Sequence, residues 1–157
     1  RVAVDSRTDP NFLVIARTDA RTGLGFEEAV RRGAAYAEAG ADLVFVESLQ
    51  SEEEMRRACS LIRAPMMANM SDGGKTPIRP AKELASFGYR LAIWPAMAAL
   101  SASAAIERAM HHLKAQGTSL SPDVPLFGFD DFCRMVGFED VWAFEEKWKD
   151  VLDKSRR

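Results

Sequence analysis

An excess of one charge, long apolar runs and a cysteine framework are all missing from this chain of 157 residues. Lysine and arginine number 21 and aspartate and glutamate 23, for a net charge of −2. No basic excess offers a nucleic-acid surface, and no acidic tail is present, so nucleic acid is not an expected partner. The two cysteines, Cys59 and Cys133, are far apart and form no Cys-x-x-Cys pattern. A disulfide framework is therefore not expected, and a reducing cytoplasm is the expected setting. The longest uncharged run, residues 91–106, contains Pro95, Ser101 and Ser103. It falls short of the about 20 apolar residues of a bilayer span, so no membrane association is expected. Residues 1–10 are polar and lack the apolar stretch of a signal peptide. Gly73-Gly74-Lys75-Thr76 has the ending of a phosphate-binding loop, but that pattern needs glycine where Asn69 stands. Gly23-x-Gly25 lacks the third glycine of the dinucleotide fingerprint, because Glu28 occupies its place. Neither pattern supports nucleotide binding.

What is present is an ordinary globular composition, 47% hydrophobic and 28% charged. Four short uncharged apolar runs stand out: Phe12-Leu13-Val14-Ile15-Ala16, Leu43-Val44-Phe45-Val46, Pro65-Met66-Met67-Ala68 and Leu91-Ala92-Ile93-Trp94. Continuous apolar runs of this length read as strands buried on both faces, as in a parallel sheet. Helical patterns separate them. Phe26, Ala29, Val30, Gly33, Ala34 and Ala37 share one helical face, with Gly40 placed as the stop. Ser51-Glu52-Glu53-Glu54 reads as a capping box, followed by the apolar stripe Met55, Ala58, Cys59 and Ile62. Pro80 and Gly88 bracket a third helix, and residues 98–116 form a fourth that Gly117 closes. Strand then helix, four times over, predicts an α/β fold of right-handed βα units around a parallel sheet. Residues 118–125 read as a linker, and 130–136 and 139–152 as two helices without further strands. His111-His112 are adjacent on a helix and do not form a metal pair. Cys59 and Cys133 lie on apolar stripes and read as buried hydrophobes.

In parallel α/β folds the chemistry lies at the carboxyl ends of the strands. Arg17, Glu47 and Asn69 follow the first three runs. Arg17 offers a permanently charged fork matched to carboxylate or phosphate. Glu47 can serve as acid or base or hold a metal's water, and Asn69 can donate to an anion. Each alone could be structural, Arg17 and Glu47 as a simple ion pair. Three on adjacent strand ends favour a site. The loop from Ser71 to Thr76 can bring backbone N–H groups close to an anion.

These residues carry a family resemblance. Ile15-Ala16-Arg17-Thr18-Asp19-Ala20, Ala37-Glu38-Ala39-Gly40-Ala41-Asp42 leading into Phe45-Val46-Glu47, and Ala68-Asn69-Met70 with Gly73-Gly74-Lys75-Thr76-Pro77 resemble, in order, the isocitrate lyase and phosphoenolpyruvate mutase superfamily. Phe129-Asp130-Asp131-Phe132 with Val136-Gly137-Phe138 resembles the branch of oxaloacetate decarboxylase, carboxyphosphonoenolpyruvate-type enzymes and dimethylmalate lyase. Ser71-Asp72 departs from that branch's usual pair.

The resemblance implies a (β/α)8 TIM barrel, of which residues 1–117 would supply the last four βα units. Residues 118–157 would be a linker and C-terminal helices swapped between subunits of a homo-oligomer, a dimer of dimers. It implies a cytoplasmic Mg2+-dependent lyase or decarboxylase acting on small 2-oxo or 2-hydroxy carboxylic acids through a pyruvate-type enolate. Arg17 would bind the substrate carboxylate, Glu47 would stand near the metal-water network as the second catalytic residue, and Asn69 with Thr76 would hold the departing fragment. The family's primary metal carboxylates and its Lys-Lys-Cys-Gly-His loop precede the first motif present here. A full barrel needs roughly 250 residues and eight strands, and the chain opens at Arg1. The expectation is therefore a fragment with substrate-binding residues, no direct metal ligand, and no turnover alone. Two alternatives stay open: a phosphonate-forming or phosphonate-cleaving enzyme, and a non-catalytic half-barrel for binding or assembly.

Overall fold

Two adjacent parallel strands can be joined only by a crossover, and here each crossover carries helix. The computed structural model describes residues 1–121 and 123–154. Its elements run α1 (Val2–Ser6), β1 (Ile15–Thr18), α2 (Ala20–Leu24), α3 (Phe26–Glu38), β2 (Leu43–Val46), α4 (Glu52–Leu61), β3 (Met66–Asn69), α5 (Ala81–Phe87), β4 (Tyr89–Ile93), α6 (Met97–Gln116), α7 (Phe129–Met135) and α8 (Phe138–Lys154). The strands form one sheet in the order β1-β2-β3-β4, and every neighbouring pair is parallel. The chain divides into two units, residues 1–102 and 103–157. Pro122, inside the expected linker, and residues 155–157 lie outside the described residues. Among the described residues, no helix is long and apolar enough to cross a membrane.

Local signals set several boundaries. Gly40, at φ 97°, donates its N–H to Ala37 O, and Ala41 N–H reaches Tyr36 O. This paired closure needs a residue in the left-handed region, which glycine adopts without cost. At the start of α4, Ser51 Oγ accepts from Glu54 N–H at 3.1 Å. The other half of the expected capping box is altered: the Glu54 carboxylate takes Gln50 N–H at 2.8 Å and the Arg21 guanidinium at 2.7 Å. Glu54 thus ties α4 to α2, 33 residues earlier in the chain.

The first strand begins later than its apolar run suggests. Asp9 accepts from Asn11 N–H and from Phe12 N–H, which bends the chain. Arg7 holds Phe12 O at 3.1 Å, and Asp42 Oδ2 takes Val14 N–H at 2.8 Å. Pairing with β2 starts only at Ile15, and Phe12 and Leu13 stay exposed. Burial on both faces holds throughout β2 and for the first three residues of β3. The outer strands β1 and β4 are exposed at about half their positions or more instead, and each has a strand neighbour on one side only.

The two sheet faces differ. Val44, Val46, Met66, Ala68 and Tyr89 pack with Ala29, Val30, Met55, Ala58, Ile62, Leu84 and Phe87 of the α3–α5 layer. Leu43, Phe45 and Met67 form a separate small cluster on the opposite face. In the second unit, Val141, Phe144, Trp148 and Val151 of α8 are exposed, while Cys133 is buried. His112 Nε2 contacts Leu120 O at 2.9 Å, a role in local packing.

Candidate functional site

Register and the two-residue period of a strand place the candidate side chains together. Arg17 pairs with Phe45, and Phe45 pairs with Met67. Side chains two residues apart share a face, so Glu47 follows Phe45 and Asn69 follows Met67 on the face that carries Arg17. The ladder continues past the strand ends, with Glu47 N–H on Thr18 O at 3.0 Å and Met70 N–H on Ile93 O at 2.8 Å. These bonds fix Glu47 and the chain beyond Asn69 at the carboxyl edge of the sheet. The Arg17 guanidinium lies 4.9 Å from the centroid of the Phe45 ring, which supports it from below.

Glu47 joins the set. Its Oε2 lies 3.1 Å from Arg17 Nη2 and accepts from Asn69 Nδ2 at 3.2 Å. Its Oε1 accepts from Ser48 N–H at 3.0 Å. Ser48 has φ 62°, a conformation that non-glycine residues adopt at a cost, and it aims that N–H at the carboxylate. Asn69 Oδ1 is buried and has no hydrogen-bond partner among the described residues. Thr76 is half-buried in the β3–α5 loop and makes no hydrogen bond to Arg17, Glu47 or Asn69 among the described contacts. Its neighbour Lys75 reaches Thr22 Oγ1 of α2 at 3.5 Å, so this loop extends across to the α2 side of the sheet.

Asp19 was not singled out by its type, yet it is the principal partner of Arg17. Its carboxylate takes Arg17 Nε at 3.2 Å and 3.0 Å and Nη2 at 2.7 Å. The Arg17 hydrogen bond holds the Asp19 carboxyl below the usual range, and the same bond, joined by attraction to Glu47, raises Arg17 further. The signal was available in the sequence: Arg-x-Asp at a strand's carboxyl end places both side chains on one face. Elsewhere, burial pushes the Cys59 thiol up to about 11, which makes it a poor nucleophile.

The donor set does not fit a primary metal site. Among the described residues, no group of three or more His, Cys, Asp or Glu side chains stands close enough to hold a metal ion. The two carboxylates present, Asp19 and Glu47, are both engaged with Arg17.

Comparison with known proteins bears on the family and the fold. Residues 1–114 match the family described as phosphoenolpyruvate phosphomutase. The chain is 38% identical to 2,3-dimethylmalate lyase of Eubacterium barkeri over 94% of its own length and 51% of that protein's. It is 37% identical to 2-methylisocitrate lyase of Aeropyrum pernix over 98% of its own length and 48% of that protein's. A crystal structure of 2,3-dimethylmalate lyase superposes with a TM-score of 0.75 at 32% identity, covering 86% of this chain and 47% of that one. Phosphonopyruvate hydrolase in complex with oxalate and Mg2+ superposes at 0.77 with 27% identity, covering 93% and 52%. The chain spans about half the length of the curated relatives it matches. The solved relatives are TIM-barrel superfamily members, and this chain covers about half of each. The chain belongs to the phosphoenolpyruvate phosphomutase family, within the phosphoenolpyruvate mutase/isocitrate lyase superfamily.

Proposed function

We propose that this chain supplies the substrate-carboxylate half of the active site of a carbon–carbon lyase or decarboxylase acting on small 2-oxo or 2-hydroxy acids. The observation that carries this reading is the single Glu47 carboxylate linking Arg17 to Asn69 across three adjacent strand ends. A fixed cation and a fixed amide at that edge suit a small anion.

Arg17 anchors the carboxylate and orients the bond to be broken, so positioning is its main contribution. Glu47 holds Arg17 and Asn69 in a fixed relation, which keeps their donors aimed before substrate arrives. Asn69 and Thr76 hold the departing fragment. Carbon–carbon cleavage beside a carboxylate builds charge on an enolate oxygen, and a Mg2+ ion would supply Lewis-acid stabilisation of such charge. Its primary ligands are proposed to come from outside these residues, because among the described residues no side-chain cluster could hold a metal ion. Helices α7 and α8 are proposed to pack on another subunit of a homo-oligomer. Their exposed Phe129, Phe144 and Trp148 support that placement.

A chimera tests the function. The N-terminal half of the Eubacterium barkeri lyase, fused ahead of this chain, restores eight βα units. The expected result is Mg2+-dependent cleavage of 2,3-dimethylmalate or 2-methylisocitrate to pyruvate and a second carboxylic acid, or of oxaloacetate to pyruvate and carbon dioxide, lost in Arg17→Ala. A folded chimera that turns over phosphonopyruvate alone supports the phosphonate reading instead. One that binds acids without turning over any supports the non-catalytic reading.

A further inference from the structure

A guanidinium can meet a carboxylate fork-to-fork along two edges, Nε with Nη2 or Nη1 with Nη2. In Arg17 both edges are compromised. Asp19 holds Nε and Nη2 at 3.0 and 2.7 Å, and Glu47 stands 3.1 Å from the same Nη2. Only Nη1 has no hydrogen-bond partner among the described residues. An incoming carboxylate therefore finds no complete edge until one resident carboxylate yields.

The two residents are held very differently. The Glu47 side chain is 19% exposed and is further tied by Asn69 Nδ2 and Ser48 N–H. The Asp19 side chain is 66% exposed. It stands at the N-cap of α2 without capping that helix, and Arg17 is its only hydrogen-bond partner among the described residues. A side-chain rotation of Asp19 uncovers the Nε–Nη2 edge without disturbing the sheet or the Glu47–Asn69 bond.

We propose that Asp19 is an internal competitor for the ligand carboxylate: it occupies the Arg17 edge that substrate takes, and its displacement sets the affinity of the site. This inference rests on the reading of Arg17 as the carboxylate anchor. In this arrangement every incoming carboxylate bears the cost of displacing Asp19, and an acid that also engages a second group offsets it.

The test is a calorimetric titration of this chain with oxalate, and with acetate as a one-carboxylate probe. Asp19→Asn keeps the side chain's shape and removes its charge. It is expected to raise the affinity for both anions about three- to fivefold, the scale of one exposed ion pair. Asp5→Asn makes the same charge change on the exposed face of α1 and is expected to leave affinity within about twofold, because it occupies no edge of Arg17. Unchanged or weaker binding by Asp19→Asn overturns the proposal. An equal gain in Asp5→Asn overturns it too, since general charge would then explain the effect. Arg17→Ala separates the two readings. Loss of binding there with an unaffected Asp19→Asn refutes the competitor and keeps the anchor. Undiminished binding by Arg17→Ala, or no binding by wild type and Asp19→Asn alike, refutes both.

Discussion

Replacing Glu47 with alanine should destabilise the fold through Asn69 more than through Arg17. The substitution removes the acceptor for Asn69 Nδ2, and Asn69 Oδ1 already has no partner among the described residues. The side-chain amide is then left without any described partner. An unsatisfied buried donor costs about 1–3 kcal/mol. Arg17 loses less: its side chain is 49% exposed, and Asp19 still holds it. An exposed pair of that kind is worth about 0.2–1 kcal/mol. Releasing the partly buried Glu47 carboxylate into nothing offsets some of the loss, since its own desolvation disappears. The net expectation is about 1–2 kcal/mol, which moves a urea midpoint by about 0.5–1.5 M at typical slopes. Double-mutant cycles separate the partners. Glu47→Ala with Asn69→Ala should show a coupling of about 1 kcal/mol, and Glu47→Ala with Arg17→Ala below about 0.5 kcal/mol. A Glu47–Asn69 coupling within about 0.3 kcal/mol of zero, or smaller than the Arg17 coupling, refutes this picture of the site.

Two further expectations concern the scaffold. A Cβ at Gly33 would stand 2.6 Å from Ile62 Cδ1 and 3.2 Å from Val44 Cγ1, and Ile62 is buried. Gly33→Ala should therefore cost about 1–3 kcal/mol by overpacking, and a thermal melt that does not fall by several degrees contradicts the close approach of α3 to the sheet. The second concerns pH. The Arg21 hydrogen bond holds the Glu54 carboxyl below its ordinary value, and the Arg31 and Arg32 bonds lower Glu28 to about 2. Carboxyls depressed in the fold bind protons more readily when unfolded, so their stabilisation is present above the ordinary carboxylate range and is lost as pH falls toward their folded values. Urea midpoints should fall between the ordinary range and about pH 2. Arg21→Met should flatten that fall, and an unchanged slope would show that the Arg21–Glu54 bond does not form in solution.

Much of the architecture was legible because its signals are local. The apolar runs of β2 and β3, the periodic face of α3, Ser51 before α4 and Gly40 after α3 each act within a few residues. The misplaced start of β1 came from a contact of long sequence separation, Asp42 to Val14 N–H, 28 residues apart. Glu54 could be read as a capping residue, but its bond to Arg21 depends on how α2 and α4 pack. For the site, residue type and strand-end position pointed to Arg17, Glu47 and Asn69. That they share a face follows only from the register Arg17–Phe45–Met67, which no local pattern specifies. Thr76 came from the resemblance alone, and the structure leaves it without a hydrogen bond to the other three among the described contacts. Asp19 stands in the family-resembling stretch Ile15–Ala20 with no role attached to it, and its hold on Arg17 emerges only from the side-chain geometry.

A crystal structure of this chain soaked with oxalate tests the carboxylate site most directly. The expected result is one oxalate carboxylate within about 2.7–3.2 Å of the Arg17 guanidinium, at the carboxyl ends of β1–β3, with Asp19 turned away and the Glu47–Asn69 bond retained. Oxalate bound elsewhere, or an Arg17 still bridged to both Asp19 and Glu47 at saturating oxalate, would contradict the assignment of this strand-end cluster as the substrate site.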